Sequence, residues 1–450
     1  MVKVSSLAAV VLLVLVSCSN PSSTTPGHPD NKGASQSTSV SSSTEGLPDV
    51  DHLIPVRFGM EPYGDHTYAI IGVKKGWFKE VGIDLQYQCV KTDDVVPYLL
   101  NGTLDVASCP PAFLFSSYEN APNLVTFVFN DLFQGYGIMA QPDGNYRSFS
   151  EFIKTGLTPA KALKATVEQM RGKVFAYPAE TAIKPFIDLV LSKGGLTRAD
   201  IKALVLDDPL TINAMRKKQA DFQVGGAPSR LILQREGCKC ILTANDIARS
   251  GKPSPDSPEL ASILEDGWAT TRQYYLQNHD TILRLASVNF RMINFMNDQM
   301  DQALSIHMPY LSQVTGQPFL PAEGRIIYRD LDPFITFEQQ KDWFHNPNST
   351  YFYKNVNGSI LKNFVDQGVY KHAPPKVDEV IVAQDVYHEL ETLKDQAKEL
   401  LDKIQKSNVI ARDKDAHRMF EKAEKFYQDY DYLDAQRLAR QLSERISNGE

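Results

Sequence analysis

Twice along this chain, short strand-like segments alternate with polar loops and helices, and that repetition constrains the fold more than any other feature. In the first block, residues 56–60 read as a strand and 61–67 as a polar, turn-rich loop. Tyr68, Ile71, Val73 and Trp77 then recur at helical spacing. Residues 84–90 alternate like a strand, 93–100 form a helix closed by Asn101-Gly102, and 104–107 form a third strand. The second block repeats the pattern. Strands at 173–177, 203–206 and 221–224 are separated by helices at 183–193 and 208–218. Such β-loop-α repetition predicts a parallel or mixed sheet covered by helices, once per block. After Pro258 the texture changes to long helices through about Ser312.

Composition adds limits. The chain has 450 residues, of which 42% are hydrophobic and 22% charged, enough apolar material for more than one lobe. Its net charge of −7 and its lack of a long basic run exclude nucleic acid as the expected partner.

The N-terminus reads as an export segment. Lys3 precedes a wholly apolar run at 7–16, which is shorter than the about 20 residues a helix needs to span a bilayer. The sequence Leu15-Val16-Ser17-Cys18 resembles a bacterial lipobox. It implies a signal peptide over 1–17 and lipid on Cys18, with several acyl chains anchoring better than one. Residues 18–52 then form a linker, and its stretch 19–49 is rich in Ser, Thr, Pro and Gly. That stretch cannot bury enough surface to order itself, so it reads as a leash. Cys89, Cys109, Cys238 and Cys240 read as buried free thiols, although four cysteines in an exported chain could also pair. None of them has zinc-site spacing.

The phrases "IGVKKGWFKEVGIDLQ", "LLNGTLDVAS", "MRGKVFAYP", "GGLTRADIKALVL" and "RKKQADFQVGGAPS" occur in that order, and "FITFEQQKDWF" follows later. Over roughly residues 54–373 the chain thereby resembles the type II periplasmic-binding proteins of ABC importers. It is similar in particular to the group that includes sulfonate, nitrate and thiamine-precursor binders. The resemblance implies an α/β bilobal clamshell with a C-terminal α-helical extension. Lobe one would hold 54–134 and 240–374, and lobe two 135–239. The chain would cross near 134–140 and again near 241–244, and hinge closure would trap the ligand. The partners implied are a small molecule, an ABC permease and its ATPase, and the membrane.

In open α/β sheets, ligands bind beyond the carboxyl ends of strands. The candidate loops are 61–67, 108–113, 178–181 and 225–230, with 133–136 as an added wall. Their candidate ligand-binding residues are Glu61, Tyr63, Asp65, His66, Ser108, Phe113, Tyr136, Tyr177, Glu180, Thr181, Gly226 and Arg230. The aromatic members could stack on a planar ligand. Acids outnumber cations, with Asp207 and Asp208 close by, which points to a neutral or cationic solute such as a pyrimidine-like heterocycle rather than a bare anion. A sulfonate-type solute remains the alternative that the resemblance offers. No metal, cofactor or covalent intermediate is expected: there is no G-x-S-x-G elbow, HExxH or P-loop. An enzyme of the same fold, or a ligand-sensing lipoprotein serving a signalling partner, are the competing classes.

Residues 375–450 read as an added helical hairpin. Charged residues number 30 of the 75 after Pro375, and apolar stripes at helical spacing begin at Val382, Met419 and Ala435. The stretch "AEKFYQDYDYLDAQRLARQL" resembles half of a tetratricopeptide-type hairpin. One such unit cannot bury its own face, so it either packs on a lobe or offers a surface to a protein partner.

Overall fold

The computed structural model describes residues 47–450 apart from 180–182, 252–253, 255–256, 408 and 449–450. The expected signal segment, Cys18 and most of the expected leash therefore lie outside the described residues, as do Glu180 and Thr181. No helix among the described residues is long and apolar enough to cross a membrane.

Among the described residues, ten strands form two five-stranded sheets. In chain order they are β1 (Ile54–Met60), β2 (Ile83–Cys89), β3 (Val106–Ser108), β4 (Leu124–Phe133), β5 (Gly137–Ala140), β6 (Val174–Pro178), β7 (Lys202–Leu206), β8 (Phe222–Gly225), β9 (Lys239–Thr243) and β10 (Leu264–Thr271). The first sheet runs β2-β1-β3-β10-β4 and the second β7-β6-β8-β5-β9. Within each, the strands read from the two sequence blocks are parallel, β1 to β2 and β3, and β6 to β7 and β8. Helices connect them, as crossover connections require. The helical stretch after β1 is broken at Gly76, whose φ of 78° places it in the left-handed region glycine tolerates.

The chain passes from the first sheet to the second between Phe133 and Gly137, and returns after Thr243. The expected boundary at 239–240 falls inside β9, which pairs antiparallel with β5 and so belongs to lobe two. A second correction concerns residues 264–271, expected within a helical region. They form β10, which lies between β3 and β4 and pairs antiparallel with both. Pairing on both sides overrides the weak strand propensity of its Glu, Asp and Gly. Trp268 on β10 is fully buried and meets Phe58 edge-on at 4.8 Å.

Gly267 follows a register shift in β10, and a methyl group there would lie 2.2 Å from the Val128 carbonyl oxygen. Because the obstacle is backbone, it cannot rotate away. Gly267→Ala is expected to lower the urea midpoint by the equivalent of about 1–3 kcal/mol. Gly358→Ala, with nothing within 4 Å of the added carbon in helix Tyr353–Asp366, should leave it unchanged or raise it. Equal midpoints for the two variants would refute this reading of the strand crossing.

The C-terminal extension is three long helices rather than a hairpin: Ala383–Lys406, Lys414–Gln428 and Tyr432–Asn448. Asp413 caps the second by accepting from the Asp415 and Ala416 amides. Ala397, Leu401, Phe420, Ala423, Leu438 and Leu442 form a small core among the three. The other face packs on lobe one: Val380, Ile381, Val382, Val386, Tyr387, Leu390, Tyr432 and Leu433 belong to the main core. The third stripe was legible, but the surface it covers was not.

All four described cysteines are free. Cys109 is buried, Cys238 and Cys240 are half-buried, and Cys89 is exposed because it ends the edge strand β2.

Candidate ligand site between the lobes

Two connected cavities separate the sheets. The inner one has a volume of about 40 Å³ and is lined from lobe one by Glu61, Tyr63, Asp65, His66, Phe113 and Asp266, and from lobe two by Asp208, Gly225, Gly226 and Ala227. Phe133 and Tyr136, at the crossing, close one side. The outer cavity, of about 510 Å³, shares Tyr63, Pro178 and Asp208 with it. The outer volume lies in the range that holds small organic ligands, whereas the inner one holds little more than a water molecule or an ion.

Sequence order explains how these groups meet. The chain leaves β1 at Met60 and turns at once into the one-turn helix Gly64–Thr67, bringing Asp65 and His66 to the carboxyl end of the sheet. Thr67 Oγ1 donates to the Tyr63 carbonyl at 2.7 Å and fixes that turn. Behind it, His307 Nε2 lies 2.8 Å from Thr67 Oγ1 and its Nδ1 lies 3.0 Å from the Tyr328 hydroxyl. Burial pushes the His307 imidazole down to about 3, so it serves as a neutral brace.

His66 is the hub. Its Nε2 lies 2.8 Å from Asp266 Oδ2 and 3.6 Å from Asp65 Oδ2, and its Nδ1 lies 3.5 Å from Glu61 Oε1 and 3.3 Å from the Ser108 carbonyl. Burial alone would lower its pKa, but Asp266, Asp65 and Glu61 together raise it well above the ordinary value. Burial lifts the Asp65 carboxyl to about 7 against the pull of His66, with Asp266 adding to the rise. Two further acids stand behind this group. Asp131 on β4 lies opposite Asp266 in the β4–β10 ladder, and Asp332 follows a π-type turn at Ile327–Leu331. Burial, reinforced by neighbouring carboxylates, raises both well above the usual range. On the lobe-two wall, the Ser229 hydroxyl donates to Asp208 at 2.8 and 2.7 Å to its two oxygens.

Of the twelve candidates, Glu61, Tyr63, Asp65, His66, Phe113, Tyr136 and Gly226 line the inner cavity. Ser108 is buried beside it and contributes its backbone carbonyl to His66. Tyr177 is buried off the lining, because the chain presents Pro178 instead. Arg230 also lies off it, with Nη1 donating to the Gly135 carbonyl at 3.2 Å. Glu180 and Thr181 fall outside the described residues. Sequence reasoning missed Asp131, Asp266 and Asp332. It had noted Asp208 as near the site and Phe133 as part of the added wall.

A family model described as the NMT1-like family matches residues 52–304. No curated protein sequence matches significantly. Among solved structures, the alkanesulfonate-binding protein SsuA from Xanthomonas axonopodis pv. citri, bound to MOPS, is 14% identical, with a TM-score of 0.53, covering 73% of this chain and 97% of its own. The periplasmic aliphatic sulphonate binding protein SsuA from Escherichia coli is 12% identical, with a TM-score of 0.53 and coverages of 74% and 99%. The periplasmic nitrate-binding protein NrtA from Synechocystis PCC 6803 is 17% identical, with a TM-score of 0.50 and coverages of 75% and 88%. At these identities the likeness is one of fold, that of a type II periplasmic binding protein.

Proposed function

Starting from the fact that the chain belongs to the NMT1-like family, we propose that it is the solute-binding component of an ABC importer. It is tied to a membrane surface by lipid on Cys18, and it delivers a neutral or cationic small molecule from the interlobe cleft to a permease. Binding energy in such a protein shifts an open–closed population rather than lowering a chemical barrier.

The observation that carries the solute's charge is the lining. A sulfonate or nitrate in the inner cavity would face Glu61, Asp65, Asp208 and Asp266, and among the described residues no Lys or Arg lines it. The outer cavity is large enough for a planar heterocycle, as in a thiamine-precursor-like pyrimidine, and Tyr63, shared by both cavities, offers it an aromatic face. The fold is shared with anion binders, but the inner-cavity lining favours the opposite ligand charge, while the outer cavity mixes Lys91 and Arg216 with Asp93, Asp207 and Asp208.

The test is to denature natively purified protein, identify released small molecules by mass spectrometry, and add them back in thermal-shift assays. Taurine, nitrate and aminopyrimidines serve as comparison ligands. A true ligand at 100 times its dissociation constant stabilises by about 2.7 kcal/mol. The expected result is stabilisation by a neutral or cationic compound recovered unchanged. Tight binding of taurine or nitrate would overturn the charge assignment, and conversion of the recovered compound on incubation would replace transport with catalysis.

A further inference from the structure

At the floor of the cleft, Asp65, His66 and Asp266 each bring a ligand atom to within 4.8 Å of the others. Asp65, Asp131 and Asp332 do the same on its inner side. Asp131 and Asp332 are 0% and 2% exposed, and neither Asp131 oxygen, nor Asp332 Oδ1, meets a hydrogen-bond donor. Buried polar groups without partners are exceptions that call for an explanation, and a bound ion or water is one such explanation. Asp131 also sits directly across from Asp266 on paired antiparallel strands, a position where like charges repel. His66 supplies at most one positive charge against the four carboxylates Asp65, Asp131, Asp266 and Asp332.

We propose that this cluster is a divalent transition-metal site, in which Asp65, His66 and Asp266 ligate the ion on the side facing the inner cavity and Asp131 and Asp332 balance its charge from behind. An imidazole combined with carboxylates suits Zn²⁺, Mn²⁺ or Fe²⁺ better than it suits Ca²⁺ or Mg²⁺, whose sites are built from oxygen. Three protein ligands leave a coordination position open toward the cavity. The inner volume of about 40 Å³ accommodates a water or one donor atom at that position. The outer volume of about 510 Å³ accommodates an organic chelator behind it. The proposal rests on the cleft being the solute site and gives the cargo's positive charge a chemical class: a metal ion, alone or under a small chelator.

The experiment uses the full chain in detergent, purified without a histidine tag and stripped with a chelator. Zn²⁺ and Mn²⁺ are titrated calorimetrically into wild type, Asp266→Asn, His66→Ala and Asp131→Asn. The expected result is one ion per wild-type chain, with at least 100-fold weaker binding in Asp266→Asn and His66→Ala. Asp131→Asn removes a charge-balancing carboxylate without removing a ligand, so the metal-free protein should keep a cooperative melt while its metal affinity falls about tenfold; that pairing keeps the test decisive if a ligand variant misfolds. An ion that binds only together with an organic molecule recovered from the native protein supports the chelate form of the cargo. Absence of a one-to-one ion, or an affinity unmoved by all three variants, overturns the site. If metals fail while a metal-free organic solute still binds, the metal site falls and the solute-binding reading stands. If neither binds, both fall.

Discussion

Deleting residues 376–450 is expected to leave a chain that cannot form lobe one, recovered as insoluble protein or as a species without a cooperative unfolding transition. The extension contributes Val380, Ile381, Val382, Val386, Tyr387, Leu390, Tyr432 and Leu433 to the main core. Burial of a large apolar side chain contributes about 1.5–3 kcal/mol, so the group contributes on the order of 10 kcal/mol. That is comparable to the whole stability of an ordinary domain, roughly 5–15 kcal/mol. Deleting only 407–450 keeps Ile381 and the first long helix, and should give a folded but less stable protein. Denaturant curves on both truncations, with near-ultraviolet dichroism as the packing probe, make the check. A soluble 376–450 deletion with a wild-type transition would show that the extension is an independent attachment.

The second large effect is at Arg284. Its Nε and Nη2 donate to the two Asp434 oxygens at 3.0 Å each, from helix His279–Asp298 of lobe one to the last helix of the extension. Both side chains are nearly inaccessible to solvent, at 7% and 0%. Asp431, also buried, stands beside them, its pKa raised well above the usual range by burial and then by Asp434. Arg284→Met would leave two carboxyls without the guanidinium and is expected to cost about 3–5 kcal/mol. The double variant Arg284→Met/Asp434→Leu removes the charge with its partner and should recover most of that loss. Urea midpoints for both singles and the double close the cycle. A single-variant loss below about 1 kcal/mol would mean that this pair does not hold the extension in place.

How far the sequence reaches can be judged element by element. β2 was legible from its period-two alternation, and β1, β3, β6, β7 and β8 from short strand-like runs bounded by Gly-, Pro- or Asp-containing turns, all local signals. β10 was not. Its Leu-Glu-Asp-Gly-Trp start has an acid pair and a glycine, poor strand formers in isolation, and it becomes a strand through pairing with β3 and β4. With β10 went Asp266, the nearest partner of His66. Asp131 and Asp332 were hidden for a related reason. The five groups of the acidic cluster come from four places spread over more than 260 positions of sequence, and no spacing rule joins them. The loop residues at the ends of β1, β3 and β8 were accessible to reasoning because strand carboxyl ends converge in any open α/β sheet. Arg230 shows the limit of that rule: the right loop can carry a side chain that turns back to the backbone at Gly135.

β4 has a further consequence. It is the edge of its sheet, ten residues long, and every one of them is buried. A long apolar edge with free amides and carbonyls is a template for recruiting a second chain. Here it is covered toward both ends. The Leu132 and Gln134 amides donate to the carbonyls of Pro333 and Leu331, the Ile335 amide donates to the Asn130 carbonyl, and the Val382 amide donates to the Thr126 carbonyl at 2.9 Å. The last of these comes from the start of the extension, where Ile381 bridges to Thr126 in parallel. The extension therefore guards the Thr126 end of that edge, while residues 331–335 of lobe one guard the other: losing the extension would leave the Thr126 carbonyl open to pairing with a second chain.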